Sequence, residues 1–179
     1  SCWERQQALT APMLVYNFRA LVQKKGAEVS AHDPTTWITG LMRENYDAVG
    51  FIPEPTIRQR YVAYGQYVLQ TDERGRRLGY LLHGPLIDGG IAVVTQHVIS
   101  DDKRFHGYGE QAWQTFLQRC TQAGVDTIRL RCASDLPSVA FWQAQGFRLY
   151  GTMPGGNHRG REILQMAYDC GLPLWGWKR

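Results

Sequence analysis

Residues 66–100 carry three short apolar segments separated by turn sequences, which is the pattern of an antiparallel meander. The turns are Glu73-Arg74-Gly75 and PLIDGG, and a glycine-containing turn between strand-like segments is typical of a hairpin. The third segment is apolar on both faces in its middle, as expected for a central strand. The predicted strands are QYVLQTD (66–72), RRLGYLLHG (76–84) and IAVVTQHVIS (91–100).

Helical patterns precede and follow this meander. Asp33 can cap a helix that starts at Pro34, and a second helix is predicted from Pro55 to about Tyr64. The later elements are a helix over 109–123, a strand over 125–133, a helix that Ser134 or Asp135 caps and that ends at Gln145, and strands over 147–153 and 161–170. This order predicts an α/β (α+β) fold with a mixed, mostly antiparallel sheet of about six or seven strands and helices on both faces.

The composition fits one domain with a small extension. With 44% apolar and 20% charged residues in 179, the chain is long enough to bury a core. We expect an N-terminal extension (1–30), helical over 12–25 although a strand stays possible there, then the domain (31–170) and a tail (171–179). No apolar run reaches about 18 residues, and the start lacks a signal-peptide core, so no membrane partner and a cytoplasmic location are expected.

The four cysteines are too far apart in sequence for a CxxC motif. No metal site is therefore predicted, and the thiols are expected to be free and reduced.

Two glycines stand where the helix after the third strand begins. The first turn of a helix has unpaired main-chain N–H groups and a partial positive charge, and glycine lets a large anion approach them. The segment Arg104-x-x-Gly107-x-Gly109 therefore reads as a phosphate-binding loop, with Lys103 adding charge. A loop that merely turns tightly is the alternative. The Rossmann and Walker patterns both fail here, because the flanking elements and residues differ.

This loop resembles that of the GCN5-related N-acetyltransferase (GNAT) superfamily, and the resemblance points to its bacterial or phage members. The family carries Arg/Gln-x-x-Gly-x-Gly/Ala after its fourth strand, and here the motif reads RFHGYG (104–109). A second family element, Asn…Tyr-x-x-x-Gly-Phe, is matched by LRCASDLPSVAFWQAQGF (130–147). The resemblance covers about residues 33–170.

The resemblance implies acetyl-CoA as the cofactor. The loop amides would hold its diphosphate, Lys103 or Arg104 would reach the nucleotide phosphates, and the strand end at Val98–Ser100 would pair with the pantetheine arm. The strands over 91–100 and 125–133 would splay apart around the thioester. The cofactor-binding candidates are Val98, Ile99, Ser100, Lys103, Arg104, Phe105, His106, Gly107, Tyr108, Gly109, Glu110, Asp135, Ser138 and Trp142.

Direct acyl transfer to an amine needs a proton acceptor, an oxyanion donor and a thiolate that leaves. Trp142 stands where the family usually has an acidic tyrosine, and an indole N–H is a poor acid. Tyr108 or Tyr150 is the expected substitute, and the Ile99 N–H is the expected oxyanion donor. The catalytic candidates are His97 and Gln96 as base, Tyr150 as acid, and Asp135, which replaces the family's Asn and could orient an amine.

Two regions are expected to bind the acceptor: the loop between the first two helices and the last hairpin. Their candidate residues are Tyr46, Asp47, Phe51, Asn157, His158, Arg159 and Arg161. The first hypothesis is acetylation of a small-molecule or peptide amine. A net charge of +4 and the hairpin arginines leave open a nucleobase modifier similar to the phage Mom-type enzymes, with nucleic acid as partner. Trp142 leaves open an inactive CoA-binding module. Monomer and homodimer remain equally open.

Overall fold

The computed structural model describes residues 33–156 and 160–171, and its strands form one six-stranded sheet in the order β1-β2-β3-β4-β6-β5. Only the β3–β4 pairing is parallel, so the predicted mixed, mostly antiparallel sheet is confirmed. The strands are β1 (Tyr67–Thr71), β2 (Arg77–His83), β3 (Ile91–Ile99), β4 (Thr127–Ala133), β5 (Arg148–Pro154) and β6 (Glu162–Asp169).

Helices lie on both faces of the sheet, as predicted. The third helix continues without a break through a π-helical turn (Ile57–Tyr61) and a 3-10 turn (Val62–Tyr64). The helices are α1 (Thr35–Glu44), α2 (Tyr46–Val49), α3 (Glu54–Thr56), α4 (Tyr108–Gln122) and α5 (Ser138–Ala144). The helix predicted over 12–25, the N-terminal extension and nearly all of the tail lie outside the described residues.

Each face of the sheet has its own hydrophobic cluster. Under α4 and α5 the buried residues include Trp113, Phe116 and Ile128, and under α1 and α3 they include Ile38 and Tyr80. Burying one such large side chain contributes about 1.5–3 kcal/mol, so the two clusters together fix the helices on the sheet. No described helix is long and apolar enough to cross a membrane.

A bulge in β3 changes which side chains face which cluster. The register with β2 shifts between Leu82 and His83, which leaves Thr95 without a partner. Because side chains alternate along a strand, one extra residue reverses their faces. Val94 therefore packs under α4 and α5, whereas Val98 packs in the opposite cluster.

Strands β3 and β4 pair along only part of their length. Parallel pairing joins Ile91–Val94 to Thr127–Leu130 and then stops. Beyond it, β3 keeps its pairing with β2 as far as Ile99, and β4 keeps its pairing with β6 as far as Ala133. The two strands therefore part at the middle of the sheet, as the family resemblance implied.

The predicted cap of α5 is wrong. The helix begins at Ser138 after Pro137, and no side chain caps it. The Ser134 N–H donates to the Glu162 carbonyl at 2.9 Å, so the chain at this point still continues the pairing of β4 with β6. The Asp135 carboxylate pairs with Arg161.

Candidate active site

The loop before α4 presents a row of unpartnered main-chain amides. Gly107 lies at the helix N-terminus with φ +81°, in the left-handed region that favours glycine. The first helical hydrogen bond runs from the Gln111 N–H to the Gly107 carbonyl at 3.0 Å. In the described residues no acceptor lies within hydrogen-bond distance of the N–H groups of 105–110. Six free donors at the positive end of a helix can bind a diphosphate.

The two cations beside this loop are held by neighbours. The Lys103 ammonium pairs with Asp102 at 2.9 Å, and the Arg104 guanidinium pairs with Asp101 at 2.7 Å. Arg104 also donates to the Ile99 carbonyl at 3.2 Å and to the Asn45 side chain. Arg104 thus ties the loop to the end of β3 and the end of α1. The main-chain amides, rather than these cations, are the donors that stand ready for an anion.

A cavity of about 110 Å³ opens where β3 and β4 part. Because the Ser100 N–H donates to the Leu78 carbonyl at 2.9 Å, the residues Val98 and Ser100 turn their main-chain groups toward β2. The alternating residues His97 and Ile99 turn theirs away from β2, into the gap. The expectation that Val98 and Ser100 offer main-chain groups to a ligand is therefore wrong. The predicted oxyanion donor, the Ile99 N–H, does face the gap.

His97 lines the cavity with its ring. Its centroid lies 5.7 Å from that of Phe141 and 5.4 Å from that of Trp142, and its Cε1 lies 3.6 Å from the point where a Cβ on Gly109 would sit. The Nε2 atom is buried and has no hydrogen-bond partner among the described residues. Burial lowers the pKa of His97 from 6.5 to about 4, so the ring is neutral at pH 7. A neutral ring with a spare nitrogen can accept a hydrogen bond from a ligand.

Gln96 is fully used in holding the fold. Its Oε1 accepts from the Tyr80 hydroxyl at 3.0 Å, and its Nε2 donates to the carbonyls of Val49 at 3.1 Å and Gly50 at 3.3 Å. The side chain is buried and faces α2 because of the bulge at Thr95. The prediction of Gln96 as a base is therefore wrong: it fastens α2, one wall of the cavity, to the sheet.

Trp142 is part of the core and of the cavity wall. Its ring contacts Trp113 and Phe147 at centroid distances of 5.8 and 5.2 Å. One turn earlier on α5, the Ser138 hydroxyl lies 3.2 Å from the Cys132 thiol, and both residues line the cavity. Sequence reasoning missed Cys132, although its place in an alternating strand beside the second motif was a signal. Burial raises the pKa of Cys132, so its thiol is protonated at neutral pH.

Neither tyrosine proposed as an acid lines the cavity. Tyr150 is half-exposed on β5, with the Arg129 guanidinium 5.1 Å from its ring centroid. Strand β6 separates β5 from β4 and from the gap, so the prediction of Tyr150 as the acid is wrong. Tyr108 is the first residue of α4, and its ring stacks on that of His106.

The two regions predicted to bind the acceptor meet at Arg161. Its Nη1 donates to the Asp47 carbonyl at 2.7 Å, and its Nε lies 3.0 Å from the Asp135 carboxylate. Asp47 leads into the cavity wall of α2, and Asp135 leads into the wall of α5. Tyr46 and Phe51 are half-exposed beside them, whereas Asn157, His158 and Arg159 lie outside the described residues. The described part of the chain holds no group of three potential metal ligands.

Residues 5–147 match the family described as "Acetyltransferase (GNAT) family". Ard1 from Thermoplasma volcanium shares the fold with TM-score 0.67 at 14% identity, over 75% of this chain and 90% of that one. A phosphinothricin acetyltransferase from Sinorhizobium meliloti, solved with AcCoA, has a TM-score of 0.64 at 23% identity, over 81% of this chain and 86% of that one. The ribosomal-protein-S18-alanine N-acetyltransferase from Escherichia coli has a TM-score of 0.62 at 16% identity, over 87% of this chain and 97% of that one. No curated protein matches the chain in sequence.

Proposed function

Because the chain belongs to the acetyltransferase (GNAT) family, we propose that it moves an acetyl group from acetyl-CoA to a primary amine by direct attack in a ternary complex. The observation that carries this proposal is the gap between β3 and β4, which opens beside the free amides of the loop before α4. Acetyl-CoA supplies the acetyl group as an activated thioester. The residues of this chain bind it, orient the amine and stabilise the charge that develops.

The loop and the strand end divide the binding of acetyl-CoA between them. The amides of 105–110 take the diphosphate, because they are free donors at a helix N-terminus. The His97 carbonyl, which turns away from β2 into the gap, takes the pantetheine arm, whereas the Ile99 carbonyl is already bonded to Arg104. The cavity of about 110 Å³ has room for only a few water-sized groups, which suits a short acyl chain such as acetyl.

The charge that develops on the thioester oxygen needs fixed donors in a site shielded from water. The N–H groups of His97 and Ile99 both point into the gap, so they are the donors available there. The neutral His97 ring belongs to a residue that lines the same cavity, and its buried Nε2 has no partner among the described residues. Its lowered pKa makes it a hydrogen-bond acceptor that would orient the amine rather than a strong base, so the proton that the amine loses after its attack goes to water.

The thiolate must leave without an acidic tyrosine. A free thiol ionises near pH 8.5, so its anion is an acceptable leaving group at neutral pH. The Ser138 hydroxyl, one helical turn from Trp142, is a side-chain donor on that wall of the cavity. It would stabilise the departing sulfur by a hydrogen bond without transferring a proton.

The acceptor enters between α2 and the β5–β6 hairpin, where Arg161 joins Asp47 to Asp135. Two of the similar solved structures are named for a ribosomal-protein alanine and for phosphinothricin. We therefore place the acceptor among small-molecule or peptide amines. A panel of such amines, assayed for release of free thiol, identifies the class.

The decisive test of the cofactor site is Gly107→Glu. A carboxylate at φ +81° would place negative charge among the amides that bind the diphosphate, so acetyl-CoA should no longer raise the melting temperature of the protein. Gly75→Glu is the matched control, because Gly75 has φ +74° and equally open space but lies in the β1–β2 turn. The control should bear the same backbone cost and keep the full thermal shift.

Three results separate the alternatives. A thermal shift with acetyl-CoA but no thiol release with any amine would indicate an inactive CoA-binding module. Thiol release only with nucleic acid, together with salt-sensitive retention on DNA, would indicate a nucleobase modifier. An equal loss of thermal shift in both glycine variants would remove the diphosphate site from the proposal.

A further inference from the structure

Phe105 combines a strained backbone with a fully exposed ring. Its φ is +63°, and among the described residues it is the sole non-glycine residue with positive φ. A bulky L-residue in this region of φ has a higher conformational free energy than a glycine would have there. Its ring is completely open to solvent. The folded chain therefore keeps an unfavourable backbone conformation while leaving the aromatic ring unused.

Nothing in the described part of the chain makes use of that ring. It takes part in no aromatic pair, whereas the neighbouring His106 and Tyr108 stack with centroids 6.4 Å apart. It contributes to neither hydrophobic cluster. The other exposed aromatic residues, Tyr46, Phe51, Tyr64 and Tyr150, are only half to two-thirds exposed and have ordinary φ values.

The position of Phe105 indicates what its ring contacts. It lies at the start of the row of free amides at 105–110, two residues before Gly107. If these amides hold the diphosphate, the nucleoside part of acetyl-CoA, which is covalently linked to the diphosphate, would lie near the loop. The purine is a flat aromatic surface, and an exposed aromatic side chain is a sequence-tolerant stacking platform for a base.

We propose that the Phe105 ring stacks on the adenine of acetyl-CoA. The left-handed backbone at Phe105 holds the ring outside the fold, where a base anchored by the diphosphate can cover it. This inference rests on the proposed cofactor site and adds a residue that contacts the base.

The test measures binding of two thioesters by calorimetry: acetyl-CoA, and S-acetyl-4′-phosphopantetheine, which lacks the adenosine part. Phe105→Ala should raise the Kd for acetyl-CoA by about 5- to 100-fold, the range that loss of one base–aromatic stack gives. The Kd for the short thioester should change by less than about twofold. Phe105→Trp should restore the affinity for acetyl-CoA. Tyr64→Ala, which removes another exposed ring far along the sequence, should change neither Kd.

Phe105→Gly adds a readout that does not depend on the ligand. It relieves the backbone strain at positive φ and should raise the melting temperature of the free protein. It should also weaken the binding of acetyl-CoA as Phe105→Ala does. Equal weakening of both thioesters would overturn the proposal, because the ring would then support the loop rather than contact the base. Unchanged affinity of the Phe105 variants for acetyl-CoA would also overturn the proposal and would indicate that the ring contacts a protein partner instead. If the unaltered protein binds neither thioester, the proposed function fails instead.

Discussion

At the scale of the residue, the chemistry depends on the surroundings of His97 rather than on its identity. The unperturbed pKa of a histidine is near 6.5, and on that value the sequence predicts His97 as a base. Its buried position between Phe141 and Trp142 lowers the pKa to about 4 and leaves Nε2 without a partner in the described residues. The side chain is therefore suited to orient a neutral amine.

His97→Gln should lower kcat/KM by about 10- to 100-fold, near the lower end of general-base effects, because a ring with so low a pKa contributes little proton transfer. The profile of kcat/KM between pH 6 and 9 should follow the pKa of the acceptor amine, in the unaltered protein and in the variant alike. An inflection near pH 6.5 that the variant removes would show that His97 titrates as the base after all. His83→Gln, which changes a second buried histidine that does not line the cavity, is the control.

The motif residues could be predicted because their chemistry is local. Gly107 and Gly109 were assigned to a helix N-terminus from the strand, loop and helix patterns around them, and the structure places α4 within one residue of the prediction. Tyr150 and Gln96 were assigned wrongly for a different reason. Which face of the sheet a side chain occupies depends on strand order and on the bulge at Thr95, and neither leaves a mark in the sequence.

At the scale of the element, the bulge in β3 sets the architecture of the cavity. It turns Gln96 toward α2, and the Gln96 amide then holds the last turn of α2 against the sheet through Val49 and Gly50. The same bulge turns His97 toward α5. One extra residue in β3 therefore directs Gln96 to anchor α2 and directs the His97 ring toward α5.

Gln96→Ala should release α2 and raise the KM for the acceptor. It should also reduce the free energy of unfolding by about 1–3 kcal/mol, because the Tyr80 hydroxyl and two carbonyls lose their partner in the interior. Gln70→Ala is the matched control: Gln70 is also buried, but it bonds Gln111 of α4 at 2.9 Å. Both variants should lose stability in urea unfolding, and only Gln96→Ala should change the acceptor KM. An unchanged KM in Gln96→Ala would separate α2 from the acceptor site.

At the scale of the whole molecule, two buried histidines couple folding to pH. His83 is buried on β2 against Phe116, and burial, with Arg119 nearby, lowers its pKa, although a hydrogen bond to the Gly84 carbonyl opposes this. His97 has its pKa lowered to about 4. Both histidines are neutral in the folded protein at pH 7, and both gain protons more readily in the unfolded chain.

The free energy of unfolding should therefore fall as the pH drops below about 6.5, where the unfolded histidines begin to bind protons. The contribution of His97 is lost progressively down to about pH 4 and is on the order of 3 kcal/mol in total. Urea unfolding at pH 7, 6 and 5 checks this. The double variant His83→Gln, His97→Gln should flatten the dependence. A stability that stays constant from pH 7 to 5 would contradict the burial of both rings.

The sequence by itself determined the elements and their class. Alternation and turn glycines act within a few residues, so they predicted the meander, the final hairpin and the start of α4 to within one residue. Together with the loop motif at 104–109, they also predicted the family. These signals are local, and local interactions are sufficient to specify them.

Only the tertiary structure decided which groups meet at the gap. Arg161 bonds Asp47, which precedes it by 114 residues, and pairs with Asp135 as well. The amides that turn away from β2 into the gap belong to His97 and Ile99 rather than to Val98 and Ser100. The physical reason is that a sheet assigns faces and neighbours through its register and strand order. The register and the strand order are set by packing of the whole core, so no single segment of the sequence determines them.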